Sequence, residues 1–174
     1  VFYYFEGFAQ YMKKENEAAL QTFKKGVAQI KPDSDPNIVS DFYAVMGDIL
    51  HEKGLEKQAF EAYDSCLHWR PDNLSALNNY AYYLSLTKSD LKKAELMSYK
   101  TIKKEPTNST FLDTYAWILF LQGRYEEANT YIEQAIKNDS TPSGTLFEHA
   151  GDIYYQAGKP EAALEAWQKA LQLG

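Results

Sequence analysis

The sequence predicts an all-α protein in which short helical hairpins recur along the chain and stack on one another. Two observations predict this fold: an apolar helical stripe with a small residue inside it returns at a nearly constant spacing, and a second amphipathic helix follows each stripe in phase. The small residues are Gly47, Ala81, Ala116 and Gly151, which lie 34, 35 and 35 residues apart. A hairpin of this length cannot bury its own apolar face, so neighbouring copies must stack.

The first unit, residues 1–35, follows the pattern loosely. Ala19 and Phe23 fit its second helix, in "NEAALQTFKK". Glu6 and Gln10 fall where apolar residues are expected in its first helix. The register of this unit therefore stays open by one residue.

The second unit, residues 37–73, follows an interruption of the period at "KPDSDPNIVS". Asp35 or Ser34 can cap a lengthened helix, and Pro36 can open it. The interruption favours a longer loop, with a local widening of a groove as the alternative.

The remaining units, 74–107, 109–142 and 144–174, repeat the stripe more regularly. In the fourth unit the apolar positions i, i+3, i+4 and i+7 are Leu112, Tyr115, Ala116 and Leu119. A turn follows the first helix of each unit, and a left-handed residue is expected there. Glycines stand at that place in the second, fourth and fifth units: Gly54, Gly123 and Gly158.

These units resemble the tetratricopeptide repeat (TPR) family, whose pattern is W-x2-L-G-x2-Y…A-x3-F…P. In the second unit the pattern falls on Tyr43, Met46, Gly47, Leu50, Ala59, Tyr63 and Pro71. Two departures are Ser98, at an aromatic position, and Ser140, at the proline position. The resemblance covers nearly the whole chain and implies one right-handed superhelical solenoid of about five helix-turn-helix units. The style of the closing repeats also resembles bacterial, Bacteroidetes-like TPR proteins, including envelope lipoproteins.

The resemblance also implies where a ligand would lie, because the first helices of TPR units line the concave surface. The candidate groove residues are Asn78, Asn79, Tyr82, Asp113, Trp117, Phe120, Glu148, His149, Asp152 and Tyr155. The helix "FLDTYAWILFL" is apolar nearly all round, so its second apolar side needs an explanation. Trp117 and Phe120 are either buried against neighbouring units or form an aromatic floor for a ligand chain.

The polar candidates have two interpretations each. The amides of Asn78 and Asn79 can pair with the backbone of an extended peptide, or they are ordinary solvated helix residues. The acids of the same face favour a ligand that carries Lys or Arg, or they form a solvated surface.

Several classes of function are disfavoured. A net charge of −6 argues against a nucleic-acid binder, which needs a basic face. The single Cys66 excludes a disulfide framework and falls at a small, buried repeat position. His51, His68 and His149 have no metal-ligand spacing, and no nucleophile or phosphate-binding motif is present. We therefore expect no enzyme activity, no cofactor and no metal, and no apolar run approaches the roughly 20 residues of a membrane span.

The expected function is a non-catalytic scaffold that binds a peptide or protein segment in its groove. One alternative is self-association through the last helix, where no polar capping helix follows Trp167, Leu171 and Leu173. A second is a substrate-presenting adaptor of the bacterial cell envelope. The sequence leaves the compartment open: the bacterial cytoplasm, or the periplasm or outer membrane if an upstream signal precedes Val1.

Overall fold

The computed structural model describes residues 1–174, which fold into ten α-helices, as the repeat predicts. They are α1 (Phe2–Met12), α2 (Asn16–Val27), α3 (Pro36–Glu52), α4 (Glu56–Trp69), α5 (Leu74–Thr87), α6 (Leu91–Lys104), α7 (Ser109–Leu121), α8 (Tyr125–Lys137), α9 (Gly144–Gln156) and α10 (Pro160–Leu173). Consecutive helices pair into hairpins, with α1 against α2, α3 against α4, α7 against α8 and α9 against α10. None of the ten combines the length and hydropathy needed to cross a bilayer.

The chain divides into two compact units, Val1–Tyr80 and Ala81–Gly174, with the boundary inside α5. In the first unit α3 packs against both helices of the first hairpin. Its core includes Leu20, Phe23, Phe42 and Ile49. In the second unit α7 packs against α6, α8 and α9, so each hairpin there stacks on the next.

The five hairpins share one turn, placed seven residues after the small position of the first helix. Its central residue is left-handed in every copy, and the predicted glycines Gly54, Gly123 and Gly158 have φ of 76°, 79° and 81°. Lys14 and Lys88 hold the same place with φ of 60° and 53°. In four of the hairpins the next residue donates its N–H back to the first helix, as in the 3.0 Å bond from Arg124 N to Leu119 O, which satisfies a terminal carbonyl.

In the three hairpins whose small residue is glycine, that glycine is matched to a ring of the second helix. Over Gly47 lies Tyr63, whose Cζ would be 2.8 Å from an added Cβ. The ring of Phe23 lies over Gly7 in the same way, and this contact fixes the register of the first repeat. The two hairpins whose first helix carries alanine have no ring at the matching position of the second helix. Ser98 is matched to Ala81, and Ile132 is matched to Ala116.

The interruption of the period is shared between a loop and a longer helix. Asp35 caps α3 by accepting a 2.9 Å hydrogen bond from Asn37 N, and Pro36 is the first helical residue, as expected. Ser34 does not cap the helix, since its Oγ accepts from Lys31 N at 2.9 Å. Helix α3 is the longest of the ten, with 17 residues.

Candidate functional site

In the second unit, four of the predicted groove residues lie in one row of rings, the aromatic column. His149 of α9 stacks on Trp117 of α7, with ring centroids 4.1 Å apart and an interplanar angle of 18°. Trp117 stacks in turn on Phe120 at 4.8 Å and 22°. Tyr82 of α5 lies at the other end, 6.2 Å from His149. Three helices thus bring these side chains together.

A hydrogen bond fixes the middle of the aromatic column. The buried His149 donates from Nδ1 to Oδ1 of Asp113 across 2.8 Å. Asp113 and Trp117 are four residues apart on α7 and therefore lie on one face of that helix. The carboxylate holds the edge of the imidazole while the indole covers its face, so the position of His149 is strongly restricted.

The aromatic column is partly exposed to solvent. Trp117, Phe120 and Tyr82 are half-buried, so part of each ring reaches solvent. Burial, followed by the nearby carboxylates of Asp113 and Glu148, raises the pKa of the Tyr82 hydroxyl. Flat ring faces beside negative charge suit an aromatic, apolar or cationic side chain of a ligand.

The predicted residues of the last hairpin have another role. Asp152 accepts a 3.1 Å hydrogen bond from Nε1 of Trp167, whose ring crosses Gly151. Tyr155 is exposed and lies 5.9 Å from the same indole. Asp152 therefore orients a ring of its own hairpin, and Trp167 is half-buried there, not left exposed.

An Asp that bonds to a ring of its own hairpin also occurs in the compact unit Val1–Tyr80, where the residue is Asp48. Its Oδ1 accepts hydrogen bonds from the Tyr63 hydroxyl and, at 3.4 Å, from Nδ2 of Asn79. In both hairpins the ring stands fifteen residues after the Asp of a Gly-Asp pair. That spacing is a sequence signal for an acid that orients a ring within its own hairpin.

The predicted amide pair lies in the first unit. Asn78 is only 6 % exposed, and its Oδ1 has no hydrogen-bond partner. Asn79 is half-buried and donates to Asp48. Both amides are therefore turned toward the protein in this structure.

Cys66 and the acidic residues offer no reactive or metal site. Cys66 is buried, as expected, and desolvation raises the pKa of its thiol to about 11, which keeps it protonated at neutral pH. Its Sγ lies 3.2 Å from Oγ of Ser40. No group of three or more His, Cys, Asp or Glu side chains is arranged to hold a metal ion.

A family model described as tetratricopeptide repeat matches residues 40–73 and 111–142. A TPR repeat-containing protein of Methanocaldococcus jannaschii is 26 % identical over 98 % of this chain and 30 % of its own length. The type IV pilus assembly protein PilF of Pseudomonas aeruginosa is 27 % identical over 83 % of this chain and 57 % of its own length. The chain thus spans less than two thirds of the length of either relative.

Solved structures share the fold at lower identity. MamA from Desulfovibrio magneticus superposes with a TM-score of 0.80 at 18 % identity, covering 99 % of this chain and 93 % of that one. PilF from Pseudomonas aeruginosa gives a TM-score of 0.78 at 18 % identity, covering 99 % and 75 %. Repeat spacing, the shared left-handed turn and these matches agree: the chain contains tetratricopeptide repeats and has the fold of stacked helical hairpins.

Proposed function

We propose that the aromatic column binds a segment of a partner protein, extended or helical, and that Trp117 is its central contact. The observation that carries the proposal is a half-buried indole stacked between Phe120 and a buried His149. Stacking and the Asp113 bond hold these rings before a ligand arrives, so little side-chain entropy is lost on binding. Aromatic anchors of this kind dominate the energetics of many interfaces.

Charge favours a basic side chain in the ligand. Asp113 is bonded to His149 and Asp152 to Trp167, so these two acids already have partners within the protein. Glu148 is exposed and lies near Tyr82. A Lys or Arg of the ligand would gain cation–π attraction from the rings and Coulomb attraction from Glu148.

The amide pair of the first unit is proposed as a separate contact for a peptide backbone. Asn79 would exchange its 3.4 Å bond to Asp48 for one to the ligand. The unpartnered Oδ1 of Asn78 would gain a donor once its side chain turned outward.

The test uses peptides selected against the protein from a random 15-residue library. We expect affinities near micromolar, roughly −8 kcal/mol. Replacing Trp117 and Tyr82 together with Ala should weaken these peptides by about tenfold to a hundredfold, because two aromatic anchors are lost. Isothermal titration calorimetry measures the change, and far-UV circular dichroism checks that the helices persist.

Tyr99→Ala is the matched control, because Tyr99 is an exposed tyrosine of the same unit on a second helix, α6. It should leave peptide affinity unchanged. Equal affinity of the wild type and the Trp117/Tyr82 double variant would refute binding by the aromatic column.

Similarity to PilF favours a second candidate, in which the partners are components of the bacterial cell envelope and the chain acts as an adaptor. PilF is named for type IV pilus assembly and aligns with 83 % of this chain. Sequencing the gene upstream of Val1 tests this candidate. A signal with a lipobox cysteine would support it, and a plain cytosolic start would oppose it.

Self-association through α10 is a further candidate. Leu164, Leu171 and Leu173 of this helix are exposed. Trp167, by contrast, is held within its own hairpin and contributes less than the sequence suggests.

A further inference from the structure

The outer side of α6 carries positive charge, although the chain as a whole has a net charge of −6. Five of the 14 residues of this helix are lysines, and Glu95 is its one acid. Glu95 already accepts hydrogen bonds from Gln122 and Arg124, so it does not balance the lysines. Four exposed residues are spaced by three or four positions and therefore share one side of the helix, which we call the basic face: Lys92, Leu96, Lys100 and Lys103.

The repeat does not require the residues of the basic face. Leu96 is 58 % exposed, and the other hairpins have polar, exposed residues at its place: Gln21, Glu61, Thr130 and Glu165. The place of Lys92 is held by glutamate in three hairpins: Glu17, Glu126 and Glu161. Since the stacking of hairpins makes no use of an exposed leucine among lysines, this combination favours contact with another molecule.

Helix α8 lies near α6 in the same compact unit and has the opposite charge on its outer side. Both helices pack against α7, and Arg124, at the start of α8, bonds to Glu95 of α6. Glu126 and Glu133 of α8 are exposed. A broad polyanion, such as a nucleic-acid duplex or an anionic bilayer, would bring its phosphates near these carboxylates as well as near the lysines, and like charges repel. A narrow acidic ligand that follows α6 alone avoids this repulsion.

We propose that the basic face binds an acidic amphipathic segment of a partner protein. The lysines pair with Asp or Glu side chains of the segment, and Leu96 contacts an apolar side chain that lies between them. Exposed ion pairs contribute little each, so the apolar contact and the number of lysines together supply the affinity. The basic face shares no residue with the aromatic column, whose ligand is expected to carry positive charge. The two sites therefore take ligands of opposite charge, and each can be tested independently of the other.

Peptides selected against the protein from a library of 15-residue helices rich in Glu and Leu test the proposal. Lys92→Glu combined with Lys100→Glu reverses two charges of the basic face and should weaken these peptides by at least about tenfold. Affinity for the wild type should also fall as salt concentration rises. Isothermal titration calorimetry measures both effects. Both side chains are exposed, so the helices should persist, which circular dichroism verifies.

Lys25→Glu combined with Lys57→Glu is the matched control. These exposed lysines of α2 and α4 hold the places of Lys100 and Lys92 in the repeat, and the net charge changes by the same amount. The control should leave the affinity of the selected peptides unchanged.

Leu96→Gln changes no charge and tests the apolar contact. It should weaken the selected peptides by about threefold to tenfold, because the exposed leucine is lost while every lysine remains. Vesicles of phosphatidylserine and phosphatidylcholine and a short DNA duplex are titrated in parallel, and neither should bind as tightly as the peptides. Peptides that bind the Lys92/Lys100 variant as well as the wild type, an equal loss in the control, or tighter binding of the vesicles or the duplex would each overturn the proposal.

Discussion

Asp48 shows how a single carboxylate serves the fold at an electrostatic cost. The Tyr63 hydroxyl and Nδ2 of Asn79 both donate to its Oδ1, and these bonds favour the charged form. Burial outweighs them and raises the pKa of Asp48 above 3.8. The charged form of Asp48 is therefore less favourable in the folded protein than in the unfolded chain.

This imbalance predicts the pH dependence of an Asp48→Asn variant. Between the ordinary pKa of Asp and the raised pKa of Asp48, the folded state binds more protons than the unfolded state, so stability falls as pH rises. Asn keeps an acceptor oxygen for Tyr63 and Asn79 but has no charge to desolvate. We expect Asp48→Asn to be more stable than the wild type at pH 7 and to lose this part of the pH dependence.

Urea denaturation at a series of pH values from about 3 to 7 measures the effect. Asp33→Asn is the control, because Asp33 is exposed in the α2–α3 connection and should leave the pH profile unchanged. An Asp48→Asn variant that is destabilised at pH 7 would show that the charge itself stabilises the fold.

At the scale of the elements, local chemistry made the helices and turns predictable. Three features depend only on residues a few positions apart: the apolar stripe, the turn glycines and the Asp35–Pro36 start of α3. They can therefore be recognised from the sequence alone. The turns of the first and third hairpins were harder to identify, because lysine occupies the left-handed position. Lys14 and Lys88 adopt it since the surrounding hairpin imposes the same backbone path as in the glycine copies.

Lys14→Gly is therefore expected to stabilise the protein. A left-handed conformation costs a non-glycine residue about 1 kcal/mol or more, and glycine removes this strain. Part of the gain is offset by the greater flexibility of glycine in the unfolded chain, which leaves a net stabilisation of roughly 0.5 kcal/mol. Chemical denaturation measures the difference in the free energy of unfolding.

Lys13→Gly is the neighbouring control. Lys13 has φ of −85°, so glycine relieves no strain there and should destabilise by up to about 1 kcal/mol. Equal effects of the two substitutions would show that the positive φ of Lys14 carries no strain.

At the scale of the whole molecule, the sequence identified the repeat but not how the candidate residues contact one another. Asp113 and His149 are 36 residues apart, and no local pattern links them. The bonds from Tyr63 to Asp48 and from Trp167 to Asp152 were not predicted either, because they depend on the ring lying over the glycine of the first helix. Stacking between hairpins brings Asp113 to His149, whereas Asp48 and Asp152 bond to rings within their own hairpins.

Stacking also predicts a gradient of local stability within the second unit. Helix α10 packs there mainly against α9, whereas α7 packs against α6, α8 and α9. In a stacked array each element is stabilised by its nearest neighbours, so α10 can open without disrupting the rest. We expect its amides to exchange with deuterium at least about thirtyfold faster than those of α7, a difference of roughly 2 kcal/mol in opening free energy.

Hydrogen exchange followed by mass spectrometry on dilute protein gives the comparison, with α9 as the internal reference because it packs against α7, α8 and α10. Uniform exchange across α7, α9 and α10 would mean that the unit opens only as a whole.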